Sequence, residues 1–188
     1  MAMPEQLQTG SFKAYETLKA LADTSLSYAQ QLPANIEVTP KWAGVGFSLL
    51  GSHFVLSMSD LSEMLEVPSY TKLPGVHPWV DGIANVRGRL LPIFDLAAYF
   101  DGSLLETKKR QRLLVIEHQK IYAGLRVDQV FGMQYFPVDT RSDQLPENLP
   151  SGMLPFMEGC FDLDNNQWGI FKPLKLLEDD YFLDAARI

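Results

Sequence analysis

A chain of 188 residues, 46% of them hydrophobic, is long enough to bury a sizeable core, and its length fits the roughly 100–200 residues of one domain. Its net charge of -7, with basic residues concentrated only at Arg87, Arg89 and the run Lys108-Lys109-Arg110-Gln111-Arg112, argues against a nucleic-acid binder, which needs a concentrated basic surface. The single cysteine, Cys160, cannot form an intramolecular disulfide, the start of the chain has no signal-peptide pattern, and no apolar run approaches the roughly 20 residues that span a bilayer, so a cytoplasmic protein is expected.

Phe12, Tyr15, Leu18, Ala22, Leu26 and Ala29 recur at spacings of three and four, which predicts a helix over residues 12–31, stopped by Pro33. Thr24 and Ser25 interrupt the apolar stripe. Two readings stay open: a helix packed loosely on the rest of the chain, or a helix that binds a partner. From Trp42 the period changes to two. Val45, Phe47 and Leu49, a turn at Gly51-Ser52, then Phe54, Leu56 and Met58 read as a β-hairpin. Residues 60–67 fit helical spacing through Leu61, Met64 and Leu65, and alternation through Leu61, Glu63, Leu65 and Val67. Pro68, Pro74, Gly75 and Pro78 predict a loop.

Residues 82–96 form the stretch around which the rest is organised, apolar with polar residues at fixed intervals. Asn85 and Arg87 are two apart and would share one face of an extended segment, while Ile83, Ala84, Val86, Leu90, Leu91, Ile93 and Phe94 supply core. Gly82 opens the stretch. Gly88 breaks it in the manner of a tight turn, and Pro92 is expected to bar the second half from being an ordinary central strand. Asp95 can cap a short helix beginning at Leu96. Further on, Leu113-Leu114-Val115-Ile116 suits a fully buried strand, His118-Gln119-Lys120 a turn, and residues 121–127 its partner. Val130-Phe131 and Tyr135-Phe136 continue the β pattern, residues 137–155 read as a long loop, and a hairpin follows around the polar run 162–166, then a closing helix over 174–182. Short strands at regular intervals favour a mainly β barrel or sandwich.

Catalytic constellations are not found. His53, His77 and His118 are scattered and read as turn or surface residues, Cys160 reads as buried packing, and Asp162-Leu163-Asp164-Asn165-Asn166 lacks the Gly and Glu that a calcium loop needs. There is no nucleophile elbow and no phosphate-cradling loop. No enzyme activity, metal or cofactor is expected, and the Lys108–Arg112 run reads as a solvated loop. An Arg at position 87 within an apolar stretch suggests a buried cation matched to a carboxylate. If such a pair is buried, removing one partner costs about 3–5 kcal/mol. An alternative function is a small-anion-binding β-barrel sensor using Arg87 and Arg89.

The pattern Gly82-x-x-Asn85-x-Arg87-Gly88-x-x-x-Pro92-x-x-Asp95-Leu96, followed by a strand pair and Val127-Asp128-x-Val130, closely resembles the CheW family of chemotaxis coupling proteins. The flanking Trp42 and Gly132-Met133-Gln134-Tyr135-Phe136-Pro137 look most like the CheW-type adaptors of type IV pilus chemosensory systems. The resemblance covers residues 42–177. It implies two intertwined five-stranded SH3-like β-barrel subdomains, here as a CheW-like domain over 41–188, with an extra N-terminal helical extension over 1–40 and a C-terminal helix. It also implies a non-enzymatic adaptor that couples a methyl-accepting chemoreceptor to the regulatory domain of a CheA-type histidine kinase, in a pathway controlling twitching motility. The location it implies is the inner face of the membrane, reached through receptor arrays. Leu61, Glu63, Asn85 and Arg87 match the receptor-groove side, with Glu63 and Arg87 implied to interact across the groove between the barrels. Gly82, Gly88, Pro92 and Asp95 match the structural motif.

Overall fold

Period-two patterning governs most of the chain, and the structure, a computed structural model that describes residues 8–28, 40–119, 121–146, 149–163 and 165–186, is mainly β. Two compact units divide it, residues 1–38 and 39–188. The first contains helix α1 (Gln8–Tyr28). Along it Tyr15, Leu18, Leu21, Leu26 and Tyr28 are all exposed. The predicted end of this helix, with Ala29 and Pro33, lies outside the described residues.

In the second unit β1 (Lys41–Leu49) and β2 (Ser52–Ser57) form the first hairpin, its turn made by Leu50 and Gly51 at φ 52° and 82°. Met58, expected in the strand, instead begins a 3-10 turn, Met58–Asp60. There follow β3 (Glu63–Glu66), β4 (Val80–Val86), β5 (Arg89–Asp95), α2 (Leu96–Tyr99), β6 (Arg112–His118) and β7 (Ile121–Val127). Within the ambiguous segment 60–67, Glu63–Glu66 is a strand and Asp60 ends the 3-10 turn. β8 (Gln129–Pro137), β9 (Arg141–Ser142), β10 (Met157–Leu163), β11 (Asn166–Phe171), α3 (Pro173–Leu177) and α4 (Asp180–Leu183) complete the unit. Lys120 and Asp164, placed in turns by the sequence reading, lie outside the described residues.

The strands make two sheets, ordered β8-β1-β2-β11-β10-β9 and β3-β6-β7-β5-β4. One sheet therefore has six strands rather than five, the extra one being the two-residue β9 on its edge. The second sheet is a single insertion between β2 and β8, and the chain returns to close the first through a parallel β2–β11 pair. Each sheet curls around a small core of its own. In the first this is Val55, Phe136, Phe161, Trp168 and Ile170; in the second it is Ala84, Leu91, Ile93, Leu113 and Val115. A third and larger cluster joins Phe47, Leu49, Phe54 and Leu56 of the first sheet to Leu114, Ile116, Leu125 and Val127 of the second. Leu113-Leu114-Val115-Ile116 is apolar throughout because alternate residues of β6 face two different cores.

Three further expectations need correction. Pro92 lies in β5, a strand with neighbours on both sides. Its partner Ile83 exchanges both backbone hydrogen bonds with Thr71, so in the antiparallel register Pro92 points its nitrogen away from β4, toward β7, which pairs only from Ile93 onward. No ladder bond is lost there. The closing helix is broken into α3 and α4 at Glu178 and Asp179, where Asp179 caps α4 by accepting from the Phe182 N–H. His53 and His77 are half-buried ring-packing residues, His53 stacked on Phe131 and His77 on Trp79.

Candidate partner-binding surface

The β4–β5 turn needs two residues with positive φ, and Arg87 at 51° with Gly88 at 82° supply them. Asn85 Oδ1 accepts from the Gly88 N–H at 2.9 Å, so Asn85 stabilises the turn. Arg87, being in the turn, does not share a strand face with Asn85 as simple alternation suggested. Its guanidinium instead reaches Glu63 Oε2 at 3.0 Å. Arg87 is 77% exposed and Glu63 20%, so the ion pair is a surface one and the expected buried cation is not found. Nor does the pair cross between the two sheets. It joins edge strand β3 to the turn at the other end of the same sheet, whose edges are β3 and β4.

A second pair lies beside it. Arg89 on β5 donates to both carboxylate oxygens of Glu117 on β6, at 2.9 and 3.1 Å, and covers the ring of Tyr122 on β7 at 4.0 Å. These hydrogen bonds hold the Glu117 carboxyl below the usual carboxylate range. Glu63, Arg87, Arg89, Glu117 and Tyr122 line one shallow cleft of about 210 Å³. Its two guanidiniums are matched by two carboxylates, so the cleft offers an anion no excess positive charge, and the small-anion reading gains no support. Leu61 is not part of this facet; it is half-buried against the large shared core.

Between the sheets, β3 and β8 flank a groove of about 320 Å³ lined by Met64, Leu65, Glu66, Arg112, Val130 and Gly132. Next to it on β8, Phe131, Met133 and Tyr135 present an exposed row, 36%, 47% and 55% accessible. That Val130-Phe131 and Tyr135-Phe136 continue the β pattern was legible in the sequence, but which face would be left uncovered was not.

The frame beneath this surface rests on two groups that spacing does not reveal. Arg126 on β7, 11% exposed, is paired with both Asp81 on β4 and Asp95 on β5, and Tyr70 donates to Asp81. Asp95 also accepts from the Ala98 N–H, capping α2. Burial raises the Asp81 carboxyl, and the Arg126 charge opposes that rise. Asp128 is 2% exposed and accepts from three backbone N–H groups, of Leu50, Leu105 and Glu106, tying the β1–β2 turn to the loop before β6. Gly82 allows loop 67–79 to approach: a Cβ there would strike the Thr71 carbonyl oxygen. Cys160 is buried, which pushes its thiol up. Among the described residues no group of three or more His, Cys, Asp or Glu could hold a metal, and no helix is long and apolar enough to cross a membrane.

Comparison with known proteins accounts for this architecture. The chain is 48% identical to Protein PilI of Pseudomonas aeruginosa, over 84% of this chain and 88% of that protein. It is 27% identical to Protein FrzA of Myxococcus xanthus, over 68% and 76% respectively. The crystal structure of the scaffolding protein TtCheW from Thermoanaerobacter tengcongensis superposes with a TM-score of 0.61 at 27% identity, over 71% of this chain and 90% of that one. The family model described as CheW-like domain matches residues 43–180, most of the second unit, and on that extent of agreement the chain belongs to the CheW-like domain family.

Proposed function

We propose that this protein is a scaffold that couples a methyl-accepting chemoreceptor to a CheA-type histidine kinase in a chemosensory pathway controlling type IV pilus twitching motility. The observation that carries the reading is the 48% identity to PilI along nearly the whole of both chains. The β3–β8 groove, with Met64, Leu65 and Val130 in it and Glu66 and Arg112 on its lining, suits the tip of a receptor's helical hairpin, an amphipathic helix laid in an apolar groove with a polar rim. In this reading Glu63, Asn85 and Arg87 shape the receptor side through the β4–β5 turn and its link to β3, Leu61 supports the start of β3 from the shared core, and the ends of the curled sheets hold the kinase regulatory domain. A scaffold without chemistry of its own controls a kinase only by binding one arrangement of it better than another. Residues 1–40 act as a separate extension of the CheW-like domain at 41–188, and the protein works at the inner face of the membrane through its receptor.

The test is calorimetric titration of the regulatory domain of a co-encoded CheA-type kinase into the purified protein, alongside Arg87→Ala and a variant lacking residues 1–38. Saturable binding at micromolar or tighter affinity is expected. A folded protein that binds no kinase domain would reject the kinase half of the proposal.

A further inference from the structure

A cleft of about 510 Å³ lies between the end of α2, the 150–156 turn and the start of α4, and shares no residue with either the β4–β5 facet or the β3–β8 groove. Four of its nine lining residues are aromatic, and of these Tyr181 is the most open, 56% exposed. Tyr99 packs edge-on to Phe100 at 5.1 Å between centroids and tilted to Tyr181 at 5.8 Å, and Phe100 meets Phe156 at 5.9 Å. Its charged lining residues, Asp101 and Asp179, are both acidic.

The two carboxylates are held differently. Asp179 Oδ1 accepts from the Tyr99 hydroxyl at 3.0 Å and from the Phe182 N–H at 3.1 Å, which fixes the carboxylate against the aromatic wall. Burial, and then this bond to Asp179, hold the Tyr99 phenol well above its usual range, so it stays a donor at neutral pH. Asp179 Oδ2 and the Asp101 carboxylate make no hydrogen bond or ion pair among the described residues. An anion would be repelled here, and a purely apolar ligand would strip water from carboxylates without replacing it. Aromatic faces attract cations, and a guanidinium both stacks on a ring and forks onto a carboxylate, which a compact ammonium does less well.

We infer that this cleft is a binding site for an arginine side chain presented by a protein partner. The site is independent of the kinase-coupling reading, and either can fail alone.

The test is a proton–nitrogen NMR titration of the full chain with N-acetyl-arginine methylamide, against N-acetyl-citrulline methylamide, which keeps the shape and removes the charge. Saturable shifts are expected at the amides of Asp101, Gly152, Asp180 and Tyr181. Citrulline should bind about tenfold more weakly, from loss of the cation–π contact and the charge-assisted hydrogen bonds. Asp101→Asn, at an exposed position with φ 58° that Asn tolerates, should weaken arginine binding several-fold and leave the spectrum otherwise intact. Tyr181→Ala should weaken it similarly. Equal binding of the citrulline probe, shifts confined to other surfaces, or unchanged affinity in Asp101→Asn would each overturn the inference. So would self-association that Asp101→Asn abolishes while the arginine probe fails to bind, since a second copy would then be the occupant.

Discussion

Arg126 is 11% exposed between Asp81 and Asp95, whereas Arg87 is 77% exposed beside Glu63, and this difference sets what each substitution does. Arg126→Gln leaves two buried carboxylates facing each other and should cost about 3–5 kcal/mol at neutral pH in denaturant unfolding. The deficit should depend on pH. Burial raises the Asp81 carboxyl above its unfolded value, so as pH falls the native state binds that proton before the unfolded chain does. Stability from this group therefore grows as pH drops through the raised value and is lost as pH rises back through it. Without the Arg126 charge the rise is greater, so the gap between variant and wild type should be widest near pH 7 and narrow as pH approaches the ordinary carboxylate pKa of about 4. A gap independent of pH would assign the loss to packing. Arg87→Ala should cost no more than about 1 kcal/mol, as exposed ion pairs do, which makes it a clean probe of partner binding. Neither set of partners is legible from spacing: Arg126 meets groups 31 and 45 residues away. The Glu63–Arg87 pair came from family resemblance alone.

Among the elements, the hairpin containing Gly82 and Gly88 separates two uses of glycine. At Gly82 the backbone has φ 145° and an added Cβ would strike the Thr71 carbonyl oxygen, so Gly82→Ala must displace loop 67–79 from β4. At Gly88 an added Cβ meets nothing within 4 Å and only the conformation, φ 82°, opposes it. Gly82→Ala is thus expected to cost about 3 kcal/mol or more, from clash and strain together. Gly88→Ala should cost about 1 kcal/mol, the ordinary price of a left-handed residue. Thermal and denaturant midpoints check the order; equal losses would mean that the loop yields freely. The strands of this hairpin and of β1–β2, β6–β7 and β10–β11 were legible because burial on one or two faces writes itself into alternation or into an unbroken apolar run. The break between α3 and α4 was not, because Leu174, Leu177 and Phe182 keep the apolar content of one helix while the Asp179 cap starts another. Pro92 misled for a related reason: a ladder position is decided by which neighbour faces the nitrogen, and that depends on β7, distant in sequence.

For the whole molecule, the topology sets which parts can stand alone. The second sheet is continuous in sequence and could be excised as residues 59–128, but Leu114, Ile116, Leu125 and Val127 on one of its faces are buried against Phe47, Leu49, Phe54 and Leu56 of the first sheet. Excision exposes that face at roughly 1.5–3 kcal/mol for each large side chain, so the four together cost about as much as a domain's whole typical margin of about 5–15 kcal/mol. The excised piece is expected to lack a cooperative unfolding transition and dispersed amide resonances. Removal of residues 1–38 is the opposite case. Every described side chain of α1, from residue 13 to 28, is exposed, so none of these belongs to the core. The remaining chain should unfold within about 0.5 kcal/mol of the full protein, as surface changes usually do. A large loss on that deletion would show that the apolar residues of α1 support the fold, and would return Tyr15, Leu18 and Leu26 from candidate partner contacts to packing.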